Sequence, residues 1–241
     1  MAKADEVDPY EALTRALRAC GDAKRAEWDK TYQKSRWTHW GVTTPKLDHA
    51  ILQMVVHLAE AEALGLSRRL WREPVWDLKI AAARILASKS FAPDARQWAF
   101  VTQRMADLDG WATADNLASV ASRCLLAEPR RLDDVEPWVD SPHLWTRRAA
   151  LVFTLPWTRA GRDPERMLGW AARLVGDREW FIQKAVGWWL RELSKRDAER
   201  VRRFLADHGA SLRGFARREA EKYLDGRPRR SSPGAKAAKR G

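Results

Sequence analysis

At 241 residues, the chain has room for one extended domain or two small ones, taking about 100 to 200 residues per domain. Its 45% hydrophobic and 32% charged residues are a globular composition and exclude wholesale disorder. A net charge of +12 and a pI near 10.1 mean that the surface field attracts a polyanion, nucleic acid ahead of an anionic membrane surface.

The chain opens on Met1-Ala-Lys-Ala-Asp-Glu-Val-Asp, which lacks a basic segment followed by an apolar run. No stretch approaches the roughly 18 apolar residues of a membrane span. Secretion and membrane insertion are therefore not expected, and a cytoplasmic protein is, nucleoid-associated if bacterial. Cys20 and Cys124 lie far apart, without CxxC or Cys/His spacing, so neither a disulfide framework nor a zinc site is indicated.

From there on, apolar residues recur at the helical period, broken by Pro, Gly and Asp, and no run alternates strictly. The expected fold is all-α. Thr44-Pro45 and Ser141-Pro142 each read as a hydroxyl cap followed by Pro at the first helical position, and Gly110, Gly161 and Gly209 as joints.

Within Gly110-Trp111-Ala-Thr-Ala-Asp115-Asn-Leu-Ala, Trp111 and Asp115 are four apart, so a helix places ring and carboxylate on one face. The competing reading is ordinary: Trp in the core and Asp as a first-turn residue favoured by the helix dipole. Trp145 and Arg148 form an i, i+3 pair, Arg147 lies on the adjacent face, and spacing does not choose between the arginines. In Phe181-Ile-Gln-Lys184-Ala-Val-Gly-Trp188-Trp189-Leu-Arg191, spacings of four and three put Lys184, Trp188 and Arg191 on one face. Trp189 points about 100° away; one Trp of the pair is expected to be buried, and the periodicity leaves open which.

Basic-then-small segments recur at Lys79-Ile80-Ala81-Ala82, Arg147-Arg148-Ala149-Ala150, Lys184-Ala185 and Arg217-Arg218-Glu219-Ala220, with 36 residues from Arg148 to Lys184 and 34 from Lys184 to Arg218. That period with two helices per unit marks an α-solenoid, whose stacked repeats make a concave surface. The second helix of each repeat is then expected to present a cation to it. Tetratricopeptide signature positions do not recur, so a divergent HEAT-like array fits better.

Residues 226–241 carry Arg227, Arg229, Arg230, Lys236, Lys239 and Arg240 among Pro, Ser, Gly and Ala, the composition of a disordered tail: either a non-specific phosphate-binding arm or a solvated end. The expected organisation is a repeat domain over 1–225 followed by that tail.

Phosphate-loop, dinucleotide, zinc-protease and nucleophile-elbow motifs are absent, and no cofactor or metal is expected. Trp is abundant instead, fourteen residues, many on helices that also carry Arg, Lys or Asp, the material of a cationic-ligand or nucleobase surface.

Trp111-x-x-x-Asp115, Trp145-x-x-Arg148-Ala-Ala and Phe181-Ile-Gln-Lys184-Ala-x-Gly-Trp188-x-Leu-Arg191-Glu occur in the order and at the separations of AlkD-type alkylpurine DNA glycosylases. Tyr32-Gln-Lys-x-x-Trp37-x-x-Trp40-Gly41-Val42-x-Thr-Pro45 resembles that family's aromatic-rich entry, and Arg217-Arg218-Glu219-Ala220 its closing helix, so the resemblance runs from about Tyr32 to Tyr223. It implies a HEAT-like solenoid cradling double-stranded DNA and releasing cationic N3- or N7-alkylated purines. Asp115 would be the catalytic carboxylate and Trp111 and Trp188 the aromatics around the lesion nucleotide. Arg148 and Tyr32 would support site and backbone, and Lys184, Arg191 and Arg218 would contact DNA. A monomer is expected. Ala112 stands where the family often has an acidic residue, and Trp37 and Trp40 where it has Phe; these departures bear on lesion preference. Two other readings compete, a non-catalytic DNA-binding solenoid and a scaffold for an acidic protein partner.

Overall fold

A computed structural model describes residues 8–224. The basic tail expected over 226–241 lies outside the described residues. The helices are α1 (Pro9–Ala19), α2 (Ala23–Gln33), α3 (Thr44–Val55), α4 (Glu60–Arg72), α5 (Trp76–Leu86), α6 (Ala95–Thr102), α7 (Trp111–Ala127), α8 (Leu132–Val135), α9 (Leu144–Val152), α10 (Leu155–Arg159), α11 (Glu165–Leu174), α12 (Trp180–Ser194), α13 (Ala198–His208) and α14 (Gly214–Glu221). Among the described residues no strand forms; a single parallel bridge joins Thr38 to Val75. The all-α expectation is met. No described helix is long and apolar enough to cross a membrane.

Caps set many of the starts. Asp8, Asp22, Asp94 and Asp197 precede α1, α2, α6 and α13, and each carboxylate accepts from a backbone N–H of the first turn, 2.7 Å from Arg25 N and 2.9 Å from Arg200 N. Two starts differ from the sequence reading. Thr43 rather than Thr44 is the residue before α3, and no hydroxyl caps it. Helix α9 begins at Leu144, two residues past Ser141-Pro142; there the Ser141 hydroxyl accepts from the His143 N–H at 3.2 Å and closes a turn instead of a cap.

The chain divides at Trp157 into two compact units. In the first, alternate helices stack into a ladder: α1 on α3, α3 on α5, α5 on α7 and α7 on α9, while α4 and α6 cover α5 and α7 from the other side. This is the α-solenoid arrangement, in which each amphipathic pair buries its apolar stripe on the next. Small residues make the rungs close: Ala81, Ala82 and Ala83 of α5 and Ala112, Ala114, Ala118 and Ala121 of α7 are all buried. In the second unit α12 is the central rung, packed on α11, α13 and α14. Gly187 of α12 is needed there, because a Cβ at that position would lie 2.6 Å from the carbonyl oxygen of Ala216.

Helix C-termini leave carbonyls without partners, and buried or half-buried polar side chains from the following helices fill them. Lys79 of α5 is buried, and its ammonium donates to the carbonyl of Trp71 at the end of α4, at 2.5 Å. Arg123 of α7 donates to the carbonyl of Leu86 at the end of α5 and to those of Ser88 and Phe91 just beyond it, and in the second unit the Gln183 amide donates to those of Val175 and Asp177. Lys79 therefore does not present its charge on a surface, as the recurring basic segments suggest. Its ammonium sits 4.0 Å from the Trp37 ring centre, in a cation–π contact. Burial pulls its pKa down to about 8 against the opposing pull of Asp107.

Candidate active site

Tyr32, Trp111, Asp115 and Arg148 all belong to the first unit, and its ladder brings them into one region. Helix α2 carries Trp28 and Tyr32 one turn apart, stacked with centroids 4.9 Å apart and planes within 8°. Both are exposed, at 59% and 57%, which core packing does not require of such large rings. Lys34 then ends α2 in the left-handed region at φ 52°.

The following turn is tied to the start of α7 through Asp109, whose carboxylate accepts from the Ser35 hydroxyl at 2.6 Å and the Arg36 N–H at 3.0 Å. Two residues on, Trp111 opens α7 and meets the edge of Tyr32 at 6.4 Å. Trp28, Tyr32, Trp76 and Trp111 share the lining of a cavity of about 290 Å³ with Arg84 and Asn116.

The intervening loop is held just as firmly. Asp77 of α5 accepts from the N–H groups of Trp40 and Val42, at 2.7 and 3.0 Å, and His39 stacks on Trp76 at 4.9 Å. Gly41 adopts φ 72°, and a Cβ there would strike the Asp22 carbonyl oxygen at 2.3 Å. Burial raises the Asp77 pKa despite those hydrogen bonds and lowers that of His39 despite nearby carboxylates; both groups serve to hold the loop.

One turn along α7 from Trp111, Asp115 faces a second concavity of about 420 Å³, with Asp48, Leu52, Arg84, Asn116 and Ser119 on its walls. Arg148 approaches from α9: its Nη2 donates to both carboxylate oxygens, at 3.0 and 3.2 Å. The arginine side chain is 3% exposed and the aspartate 25%, so a buried cation holds a partly open carboxylate in one orientation. The neighbouring Arg147 instead donates to the carbonyls of Ser141 and Pro142, at 2.7 and 3.0 Å, which settles which arginine meets Asp115.

The other sequence candidates belong to the second unit. Trp189 is fully buried and Trp188 half-buried, which decides between the pair. Lys184 is exposed, its ammonium 4.7 Å from the Trp180 ring centre. Arg191 is engaged by Glu219 and by Glu192, the latter at 3.0 Å. Glu192 also accepts from Lys195 and Arg159; burial pushes its carboxyl up, but these cations outweigh that and hold it below the ordinary range. Arg218 is exposed on α14.

Sequence reasoning passed over Trp28, Asp48, Arg84, Asp109 and Asn116. Two carried a local signal: Trp28 is one turn from Tyr32, and Asn116 follows Asp115. The rest depend on contacts between distant helices. Among the described residues no cluster of His, Cys, Asp or Glu could hold a metal ion.

The fold is that of an α-solenoid protein, shared with solved structures at low sequence identity. One is described as a predicted DNA alkylation repair enzyme from Enterococcus faecalis, with a TM-score of 0.70, 18% identity, and coverage of 86% of this chain and 98% of that one. Another is AlkD2 from Streptococcus mutans, at TM-score 0.57 and 19% identity over 76% of this chain and 91% of its own. A third, smu.31 from Streptococcus mutans UA159, gives TM-score 0.61 and 18% identity over 90% of this chain and 100% of its own. No curated protein sequence matches. The family model for DNA alkylation repair enzymes matches residues 13–224, and the chain belongs to that family.

Proposed function

We propose that the protein is a monofunctional DNA glycosylase that hydrolyses the N-glycosidic bond of cationic N3- or N7-alkylated purines in duplex DNA. The observation that carries this reading is the Asp115 carboxylate, partly open to a groove, oriented by the buried Arg148 and one turn from Trp111. The +12 charge and the family support a DNA substrate.

An N3- or N7-alkylated purine is positive and leaves as a neutral base, so it needs no general acid. As the bond to C1′ breaks, its electron pair moves to the purine and charge develops on an oxocarbenium-like sugar. Asp115 stabilises that charge and orients the water whose oxygen bonds to C1′; the water's proton passes to the carboxylate or to solvent. Arg148 keeps the carboxylate in place, and Trp111 and Tyr32 offer ring faces that favour a cation, as does Trp188 in its proposed contact with the lesion nucleotide. Lys184, Arg191 and Arg218 are proposed contacts to the DNA backbone, and the protein is proposed to act as a monomer. The test is incubation with duplex DNA treated with a methylating agent and analysis of the released bases. Release of 7-methylguanine and 3-methyladenine is expected; DNA binding without release would replace this reading with a non-catalytic one.

A further inference from the structure

Arg84 borders the groove that Asp115 faces, and the proposed chemistry gives it no role. On α5, its Nε donates to Asn116 Oδ1 at 2.8 Å, and its Nη1 is ion-paired with the Asp48 carboxylate, so one side chain links α3, α5 and α7, three consecutive rungs. The Asn116 amide donates to the Ala112 carbonyl at 2.8 Å, which fixes its oxygen toward Arg84. The Asp48 end is different. That carboxylate is 55% exposed and the arginine 27%, and a pair so open to water contributes little to folding. Two of the five guanidinium N–H donors are used in these contacts.

Arg84 lines both the aromatic cavity and the Asp115 groove, and among the residues lining that groove it is the sole cation, beside two carboxylates, Asp48 and Asp115. Arg148 already compensates Asp115, so Asp48 is the carboxylate that competes with a phosphodiester for the Arg84 fork. The guanidinium binds planar carboxylates and phosphate oxygens with the same geometry, so an exchange of one for the other keeps the side chain in place.

We propose that Arg84 clamps a DNA phosphate at the Asp115 groove, and that the Asp48 carboxylate holds that position in the free protein and gives way on binding. The inference rests on the DNA-binding reading above. Asn116 acts as the positioning residue that keeps the fork on the groove wall while its anionic partner changes.

The test is fluorescence anisotropy over a salt series with a duplex carrying one tetrahydrofuran abasic analogue, which has no glycosidic bond to cleave. Arg84→Gln is expected to weaken binding about tenfold and to reduce the slope of log affinity against log salt by about 0.9. Arg84→Lys keeps the charge but not the fork, so the slope stays and affinity falls. Asp48→Asn, at an exposed position that cannot collapse the fold, is expected to tighten binding, and to do so only while Arg84 is present. A wild-type slope in Arg84→Gln, or equal tightening by Asp48→Asn in the Arg84→Gln background, overturns the proposal, because the effect is then general charge removal. Base release by the wild type is measured separately. No release with an Arg84-dependent slope refutes the glycosylase reading alone; release with an Arg84-independent slope refutes this inference alone. No duplex binding refutes both.

Discussion

Asp115 and Lys79 show how one kind of interaction, a charge facing a polar or aromatic partner, has opposite consequences at different depths. Asp115 keeps a quarter of its side chain open and is paired with the buried Arg148 guanidinium, an arrangement that suits the catalytic role proposed for it. Asp115→Asn is expected to lower base release by about 10²–10³-fold, the loss that follows from removing one preorganised charge-stabilising group, while duplex binding stays intact or tightens. Single-turnover release from methylated DNA checks the first and anisotropy the second; full activity in the variant removes Asp115 from the mechanism. Lys79 is sealed inside, with its pKa lowered to about 8 by burial. The unfolded chain holds that proton up to about pH 10.4, so between roughly pH 8 and 10 the unfolded state binds more protons than the folded one, and stability rises with pH. Below pH 8 the cost of burying the charge is present in full. Measured as the difference in unfolding free energy from Lys79→Met, the wild type is expected to gain on the variant between pH 8 and 10. A difference that does not vary with pH would mean that Lys79 ionises normally.

At the level of elements, the ladder depends on how closely successive helices approach and on how their ends are finished. Gly187 sets the approach of α12 to α14, the hypothetical Cβ lying 2.6 Å from one backbone atom of Ala216 and 3.0 Å from another. Gly187→Ala gains up to about 1 kcal/mol in helix propensity, but it forces two backbones apart at a cost of about 1–3 kcal/mol, so a net loss of stability is expected. Thermal unfolding should register it as a fall in Tm of a few degrees; an unchanged or raised Tm would show that the helices shift at no cost. The ends are finished by Lys79, Arg123 and Gln183, each reaching the carbonyls of an earlier helix. Long polar side chains at these points are ladder joints, and this accounts for cations inside a strongly basic protein.

For the whole molecule, the governing quantity in the proposed reaction is charge, in the protein and in the lesion. A site whose resources are one carboxylate and several aromatic faces favours a leaving group that is already positive. With the wild-type protein, 7-methylguanine and 3-methyladenine are expected to be released, and uracil, hypoxanthine and 8-oxoguanine to remain. Trp111→Ala should narrow the gap by slowing the cationic substrates, since a ring face contributes about 0.5–2 kcal/mol to a cation. Efficient excision of hypoxanthine would require an acid that this mechanism does not contain.

The amino-acid sequence by itself determined the helices, because apolar period and Asp, Pro and Gly caps act within a turn or two of the chain, and it determined the spacing of the repeats and the shared face of Trp111 and Asp115. Only the tertiary structure decided where the cations and tryptophans go. Lys79, Arg148 and Lys184 occur in similar basic-then-small segments, yet one caps a buried carbonyl, one holds Asp115 and one is exposed. Trp188 and Trp189 part company only in the packed unit, where α12 meets α11, α13 and α14 and Trp189 is buried while Trp188 stays half-buried. Arg84 meets Asp48 and Asn116 across 36 and 32 residues of chain. Periodicity says which face of its own helix a side chain occupies; what that face meets, and whether a charge there is buried, paired or left to bind an anion, depends on helices brought together by burial over long stretches of sequence.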